Sequence, residues 1–384
     1  MDTAPDGWAT FGHPGPSRLL LRSFEAGRLS HAYLFSGPEQ IGRRTLALDL
    51  ARLVNCKPQQ SFVAAPHGAG SPRPCGVCVP CGRITRGIHA DVRVINVDTP
   101  TSQDKGDGGA SGDGPRHKSI RIEHVRDLEH QASLKPFEGG TRVFIIDGAE
   151  LMSQPAANAL LKTLEEPPQD VLIVLVASSV AALPATIVSR CHIIELRPVP
   201  AEVIEPHLVQ KLGASPEQAH TLARLARLAR GRPGWAISAL ADPTALDKGS
   251  QAVQRILDVV TGGMEARFQY ARQLADTFWR RRDAVLDELD LWSEWWRELA
   301  MARNGLDNLV TNETWLPRFK GIAQALDNST IAAGATAVAS ARRALEANAI
   351  ARLALEVFML DLPFVSKDNL PSDRLETAAA QEPQ

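Results

Sequence analysis

An α/β module with a parallel sheet, followed by an all-α C-terminal region, is the fold class the sequence predicts. In the first half of the chain, apolar runs of five to seven residues alternate with segments of helical spacing. Runs without polar alternation are the signature of parallel strands buried on both faces, with helices as the connections. Beyond about Arg197 the runs stop, and apolar residues recur at intervals of three and four, the period of amphipathic helices. Two Gly/Pro/Ser-rich inserts interrupt the pattern at about 57 to 74 and 99 to 118, and the second, with almost no apolar side chains, reads as a mobile surface loop.

The elements follow in order. "AYLFS" at 32 to 36 is a strand, and a helix follows from about 42 to 54. "VRVINV" at 92 to 97, a helix near 121 to 134 and "RVFIID" at 142 to 147 continue the alternation. The helix "QPAANALLKTLEE" must stop at Pro167-Pro168, because proline removes a donor and restricts the residue before it. Lys162 and the pair Glu165-Glu166 then lie on a solvated helix face, with a phosphate contact by Lys162 as the alternative. "VLIVLVA" at 171 to 177 and "HIIEL" at 192 to 196 close the module near Leu196. In the helical region, "LARLARLAR" at 222 to 230 reads as one helix with a basic flank. Trp292, Trp295 and Trp296 share one helix face, as a packed core or an exposed aromatic surface. Arg280-Arg281-Arg282, taken as helical, would spread around the cylinder rather than form one patch. The final polar stretch reads as disordered.

Composition bounds the function classes. With 384 residues there is room for two or three domains, and 44% hydrophobic with 22% charged residues is ordinary for a globular protein. No stretch approaches the roughly 20 apolar residues of a membrane span, and the first residues lack a basic segment followed by an apolar one. A cytoplasmic protein without membrane contact is therefore expected. The net charge of -2 leaves any nucleic-acid role to a local basic surface or to partner subunits.

"GPEQIGRRT" at 37 to 45 follows the first strand and has the spacing of a phosphate-binding loop, with Gly37 and Gly42 in place. Such a loop needs a lysine for the β- and γ-phosphates, then a hydroxyl on magnesium. This chain has Arg43 and Arg44 there. Arg43 keeps the charge, but a planar fork does not replace a compact ammonium. Arg44 places a cation where a hydroxyl should bind one, and Thr45 comes one residue late, turned by about 100° on the helix. Gln40 adds a side chain where little room is expected. The strand "RVFIID" ends on Asp147, the position of a magnesium-holding aspartate, but Gly148 follows and the next carboxylate is Glu150. Two separate defects predict a degenerate site that does not hydrolyse ATP.

Four of the five cysteines are spaced as Cys56, then Cys75-x2-Cys78-x2-Cys81. In a cytoplasmic chain that spacing favours metal over disulfide, and four converging thiolates suit a structural zinc. Reduced thiols without metal and an iron-sulfur cluster are the alternatives. His89 is a possible substitute ligand, though a structural role fits its place before a strand better. Cys191, before the last strand, reads as a packing residue.

The segments "RLSHAYLFSGPEQIGRRTLALDLARLVNC", "RVFIIDGAELMSQPAANALLKTLEEPP" and "LPATIVSRCHIIEL" closely resemble the delta prime family of bacterial DNA polymerase III clamp-loader subunits, over about Gly12 to Leu240. The resemblance implies an AAA+ P-loop-type module over 1–196 with an inserted zinc module at about 56–81. It further implies a helical lid over 197–245 and a helical collar or oligomerisation domain over 246–365, leaving the tail at 366–384. In such rings the "SRC" element of one subunit reaches the γ-phosphate held by the next. By that comparison Arg190 is an arginine finger acting in trans, flanked by Ser189 and Cys191. In active relatives the lid carries a nucleotide-sensing arginine in Gly-x-x-Arg, where this chain has Gly234. The implied role is a non-catalytic stator within a DNA polymerase complex. Its partners would be the gamma/tau motor subunits and the delta subunit, and through the complex the sliding clamp and primer-template DNA. A motor-type clamp-loader ATPase with an atypical phosphate loop is the alternative. A stand-alone DNA-binding or repair factor using Arg280 to Arg282 is a third reading, contacting backbone phosphates only.

Overall fold

The computed structural model describes residues 7–57, 74–101, 119–138, 140–212, 219–242, 244–279, 281–311, 315–347 and 349–366. Nearly all of both Gly/Pro/Ser-rich inserts, Arg280 and the tail after 366 lie outside them. By internal packing the chain divides into two units, residues 1–222 with 229–238, and 223–228 with 239–384.

The first unit is built on five parallel strands: β1 (Ala32–Ser36), β2 (Val92–Ile95), β3 (Arg142–Asp147), β4 (Val171–Ala177) and β5 (His192–Glu195), in the spatial order β2-β3-β4-β1-β5. β4 is buried along its whole length. The two-residue period divides its side chains between two cores. Ile173 and Leu175 join Leu34, Phe144 and Ile146 on one face, against α4 (Ile122–Ala132) and α5 (Gln154–Glu165). Leu172, Val174 and Val176 join Tyr33, Phe35, Val143 and Ile145 on the other, against α1 (Pro14–Glu25) and α2 (Arg43–Asn55). Burial of each large side chain contributes roughly 1.5–3 kcal/mol, so the hydrophobic run in β4 is what fixes it centrally.

Two strands differ from the sequence reading. β2 stops at Ile95 because Asn96 turns the chain: its Oδ1 accepts from the Asp98 N–H at 3.1 Å and from Thr99 Oγ1 at 2.8 Å. β5 lies at the sheet edge with only Ile194 buried, so it is not a doubly covered strand. The short helices α6 (Ala185–Val188), α7 (Ala201–Leu212), α8 (Ala219–Leu228) and α9 (Pro233–Leu240) follow the sheet, and α3 (Val79–Thr85) belongs to the cysteine-rich segment.

The second unit holds α10 (Ala245–Thr261), α11 (Met264–Phe278), α12 (Arg282–Arg303), α13 (Leu316–Ala325), α14 (Asn328–Glu346) and α15 (Ala351–Asp361). Trp292, Trp295 and Trp296 are all buried in its core, which decides the open question in favour of packing. The arginine run does not lie on one continuous helix, contrary to the sequence reading: α11 ends at Phe278 and Arg281 is the N-cap of α12. Arg282 donates to Leu345 O at 2.9 Å.

Arg267 is buried among the ends of two helices, donating to Val260 O at 2.9 Å, Met359 O at 3.2 Å, Leu362 O at 2.7 Å and Pro363 O at 2.8 Å. Its charge is held by carbonyls at the negative ends of α10 and α15. Arg267→Met leaves four acceptors unpaired, and is expected to destabilise this unit by about 3 kcal/mol. A urea titration followed by tryptophan fluorescence checks the value, and an unchanged midpoint contradicts it.

Candidate functional site

β1 delivers Ser36 to the carboxyl edge of the sheet, where ligands of open α/β folds bind, and residues 37–42 turn the chain into α2. Gly37 has φ +147°, and a Cβ there would lie 2.6 Å from Leu196 O, so glycine is required. The turn is tied down by its carbonyls. Gly234 N–H, in the first turn of α9, donates to Gln40 O at 2.9 Å, and His13 Nε2 donates to Ile41 O at 2.9 Å. Burial lowers the His13 pKa, more than the Ile41 bond raises it, which favours the neutral ring whose Nε2–H makes that bond. The side chain of Gln40 is not crowded, contrary to expectation: the residue is exposed, and the constraint falls on its backbone at φ +57°.

Asp147 ends β3, and β4 separates it from β1, so the two strand ends are about 10 Å apart. Arg44, in the first turn of α2, spans the gap: its Nη1 lies 3.4 Å from Asp147 Oδ2. The carboxylate that a metal would need faces a guanidinium instead. Glu150 lies on the 3-10 turn Ala149–Leu151, and its Oε1 accepts from Ser178 N–H at 2.9 Å, a structural use of the next available carboxylate. Arg43 and Thr45 occupy the first turn of α2 beside Arg44, both partly exposed.

Ser189, Arg190 and Cys191 connect α6 to the edge strand β5. Arg190 Nη1 donates to Thr186 O at 2.8 Å and Ser189 Oγ at 3.2 Å, and Nη2 lies 2.5 Å from Glu165 Oε1. Among the described residues no hydrogen bond or ion pair joins Arg190 to the turn at 37–45. Cys191 is half-buried against the sheet core, and burial pushes its thiol up to about 11, which leaves it protonated and unreactive at neutral pH. Lys162 is exposed on α5, as a solvated face requires.

The four cysteines converge. Their Sγ atoms all lie within 4.8 Å of one another, with Cys56 and Cys78 at 4.0 Å. A tetrahedral zinc with Zn–S bonds of ~2.3 Å has S···S edges of about 3.8 Å, so the set fits a metal with small adjustment. Cys56 is the C-cap of α2, while Cys78 caps α3 and Cys81 lies within it. Cys75 N–H points to Cys56 Sγ and Cys78 N–H to Cys75 Sγ, both at 3.4 Å, polarity that suits thiolates. The hydrogen bond with Cys81 holds Cys56 down to about 5, while that contact and burial push Cys81 up. His89 is outside the cluster: Nδ1 accepts from Asp91 N–H at 3.1 Å and Nε2 is 3.4 Å from Glu138.

One turn before Cys56 on α2, Arg52 is buried within electrostatic reach of Cys81, Cys56 and Cys75, and is paired with Asp49. Asp49 in turn accepts from Thr10 N–H at 2.7 Å and from Ala9 N–H at 3.2 Å. The segment leading to α1 is thereby anchored to α2 beside the cysteines. Sequence reasoning passed over α1, Asp49, Arg52 and the Glu165 contact. An Asp and Arg three apart on a helix otherwise rich in leucine and alanine was the one available signal.

The parallel sheet with the order β2-β3-β4-β1-β5, a phosphate-loop-like turn after β1 and an acidic residue ending β3 defines an AAA+-like module. Residues 12–200 match the family described as DNA polymerase III, delta subunit. DNA polymerase III subunit delta' of Bacillus subtilis is 33% identical over 212 residues, covering 55% of this chain and 55% of that protein. Subunit tau of Escherichia coli is 31% identical over 239 residues, 62% of this chain and 33% of that one. Subunit gamma of Buchnera aphidicola is 30% identical over 236 residues, 61% and 57% of the two chains. The aligned region spans a third to just over half of the length of these relatives. Through residues 12–200, this chain is similar to clamp-loader subunits of DNA polymerase III.

Proposed function

We propose that this chain is a non-catalytic, stator-type subunit of a DNA polymerase III clamp loader. In this reading it lends Arg190 to the ATP site of a neighbouring gamma/tau-type motor subunit, and works with a delta-type subunit to load the sliding clamp on primed DNA in the cytoplasm. The observation that carries the reading is the Arg44–Asp147 ion pair: hydroxyl, magnesium and aspartate are replaced by guanidinium and aspartate. The carbonyls of the turn support it, since Gly234 bonds the loop from the position where the active relatives' lid arginine would contact nucleotide. Cys56, Cys75, Cys78 and Cys81 are proposed to hold a structural zinc, whose chemistry would be to fix α3 against the end of α2. Residues 197–245 are assigned to a lid and 246–365 to a collar. The exposed residues Leu353, Val357 and Leu360, spaced by four and three along α15, suit helix packing in such a collar.

The tau and gamma relatives favour a second reading, a motor-type ATPase with an unusual loop. Calorimetry and a phosphate-release assay on the purified chain separate the two. Neither saturable ATP binding nor turnover is expected, and stoichiometric binding with hydrolysis would establish the motor reading. Gly234→Arg combined with Arg43→Lys is not expected to restore binding, because a Cβ at 234 would sit 2.7 Å from Gln40 O and displace the loop it should serve.

A further inference from the structure

Arg190 is not presented as an unrestrained side chain. Glu165 is the last residue of α5, whose end is fixed by Pro167-Pro168 and by His31 Nε2, which donates to Leu164 O at 3.0 Å. At that helix end the backbone carbonyls add to the negative charge of the carboxylate. The guanidinium is thus held from two sides, by Thr186 O and Ser189 Oγ through Nη1 and by Glu165 Oε1 through Nη2. These bonds use at most three of the five N–H donors of the planar fork. The pair stays open to solvent, with the two side chains 35% and 50% exposed. The first two contacts set where the group sits. The third occupies one edge of it with an anion, the charge type a nucleotide phosphate would bring.

We propose that Glu165 is a positioning residue for Arg190, holding the guanidinium in plane while competing for it, so that a phosphate in a neighbouring site must displace the carboxylate. The inference rests on the stator reading of Arg190 and deepens it: the finger is pre-aimed and self-shielded until the neighbour holds nucleotide. A neutral amide at 165 keeps the shape and the acceptor oxygen but removes the competing charge. Alanine removes both.

The test is an ATP titration of the reconstituted loader, containing motor and delta-type subunits with clamp and primed DNA, at fixed low salt. Glu165→Gln is expected to lower the half-saturating ATP concentration about two- to five-fold, the range an exposed ion pair supports, with kcat within about two-fold of the parent. Glu165→Ala should show the same lowering together with a kcat reduced about tenfold, since the group loses an orienting contact. Both variants lie on the surface, so assembly provides the folding control. If half-saturation is unchanged or raised in Glu165→Gln while Arg190→Ala removes the stimulated activity, the competition is absent although the finger stands. If Arg190→Ala itself leaves activity intact, the stator reading fails and this inference fails with it.

Discussion

Arg190→Ala in a reconstituted clamp loader is expected to leave assembly intact and to cut turnover at the neighbouring ATP site by on the order of 10³-fold or more, the usual worth of a finger supplied in trans. Two features of the side chain make the effect separable from folding. Arg190 lies on the connection between α6 and the edge strand β5, and its intramolecular partners are one carbonyl, one hydroxyl and one exposed carboxylate. Losing an exposed pair of this kind costs stability only a few tenths to about 1 kcal/mol. The catalytic effect arises where charge builds on phosphate oxygens in the transition state, and a planar fork spreads positive charge over two of them. Arg190→Lys should therefore recover little, since a compact ammonium keeps the charge without the geometry. Size-exclusion chromatography of the complex, followed by DNA-stimulated phosphate release, measures both parts. Unchanged turnover in an intact complex would remove the finger assignment.

Much of the first unit was legible because its strands bury both faces. "RVFIID" and "VLIVLVA" became β3 and β4 with the predicted limits, since unbroken apolar runs have no other place than the centre of a covered sheet. β5 shows the limit of that rule, as the same kind of run occupies an edge with Ile193 exposed. α1 was not predicted; its first residues are Pro14-Gly15-Pro16, and proline in the first helical turn costs no hydrogen bond. The cysteine set was fully legible, because three of its members come from one short turn. Contacts between distant segments were not. Nothing in "LEEPP" or "SRC" states that Glu165 meets Arg190, and nothing in "GPEQIG" states that Gln40 O is held by Gly234. The Arg44–Asp147 pair was half legible. Each residue read as a defect by itself, and only the folded chain brings the Arg44 guanidinium to the Asp147 carboxylate across the end of β4.

Removal of metal from the Cys56, Cys75, Cys78 and Cys81 set is expected to have the largest effect on the stability of the first unit. In small zinc peptides the ion contributes ~10–16 kcal/mol of folding free energy, and here much of that would be offset by the surrounding fold, leaving a loss of several kcal/mol confined to the knuckle and its supports. Those supports are specific. Cys56 caps α2, so a loosened knuckle frees the last turn of the helix whose first turn carries Arg43 and Arg44. Four thiolates around a divalent ion would leave excess negative charge, and Arg52, buried within electrostatic reach of Cys81, Cys56 and Cys75, would offset part of it. Its pairing with Asp49, and that of Asp49 with Thr10, then passes the disturbance to the segment before α1. Cys78→Ser should reduce zinc from about one equivalent to below half and lower the thermal midpoint, as chelator does in the parent. Arg52→Met should retain the ligands yet lose zinc at lower chelator concentration, because the charge that accompanies four thiolates is gone. Elemental analysis with thermal melts, with and without chelator, checks all three. A metal-free parent chain with an unchanged midpoint would show that the cysteines hold this unit together as packed thiols alone.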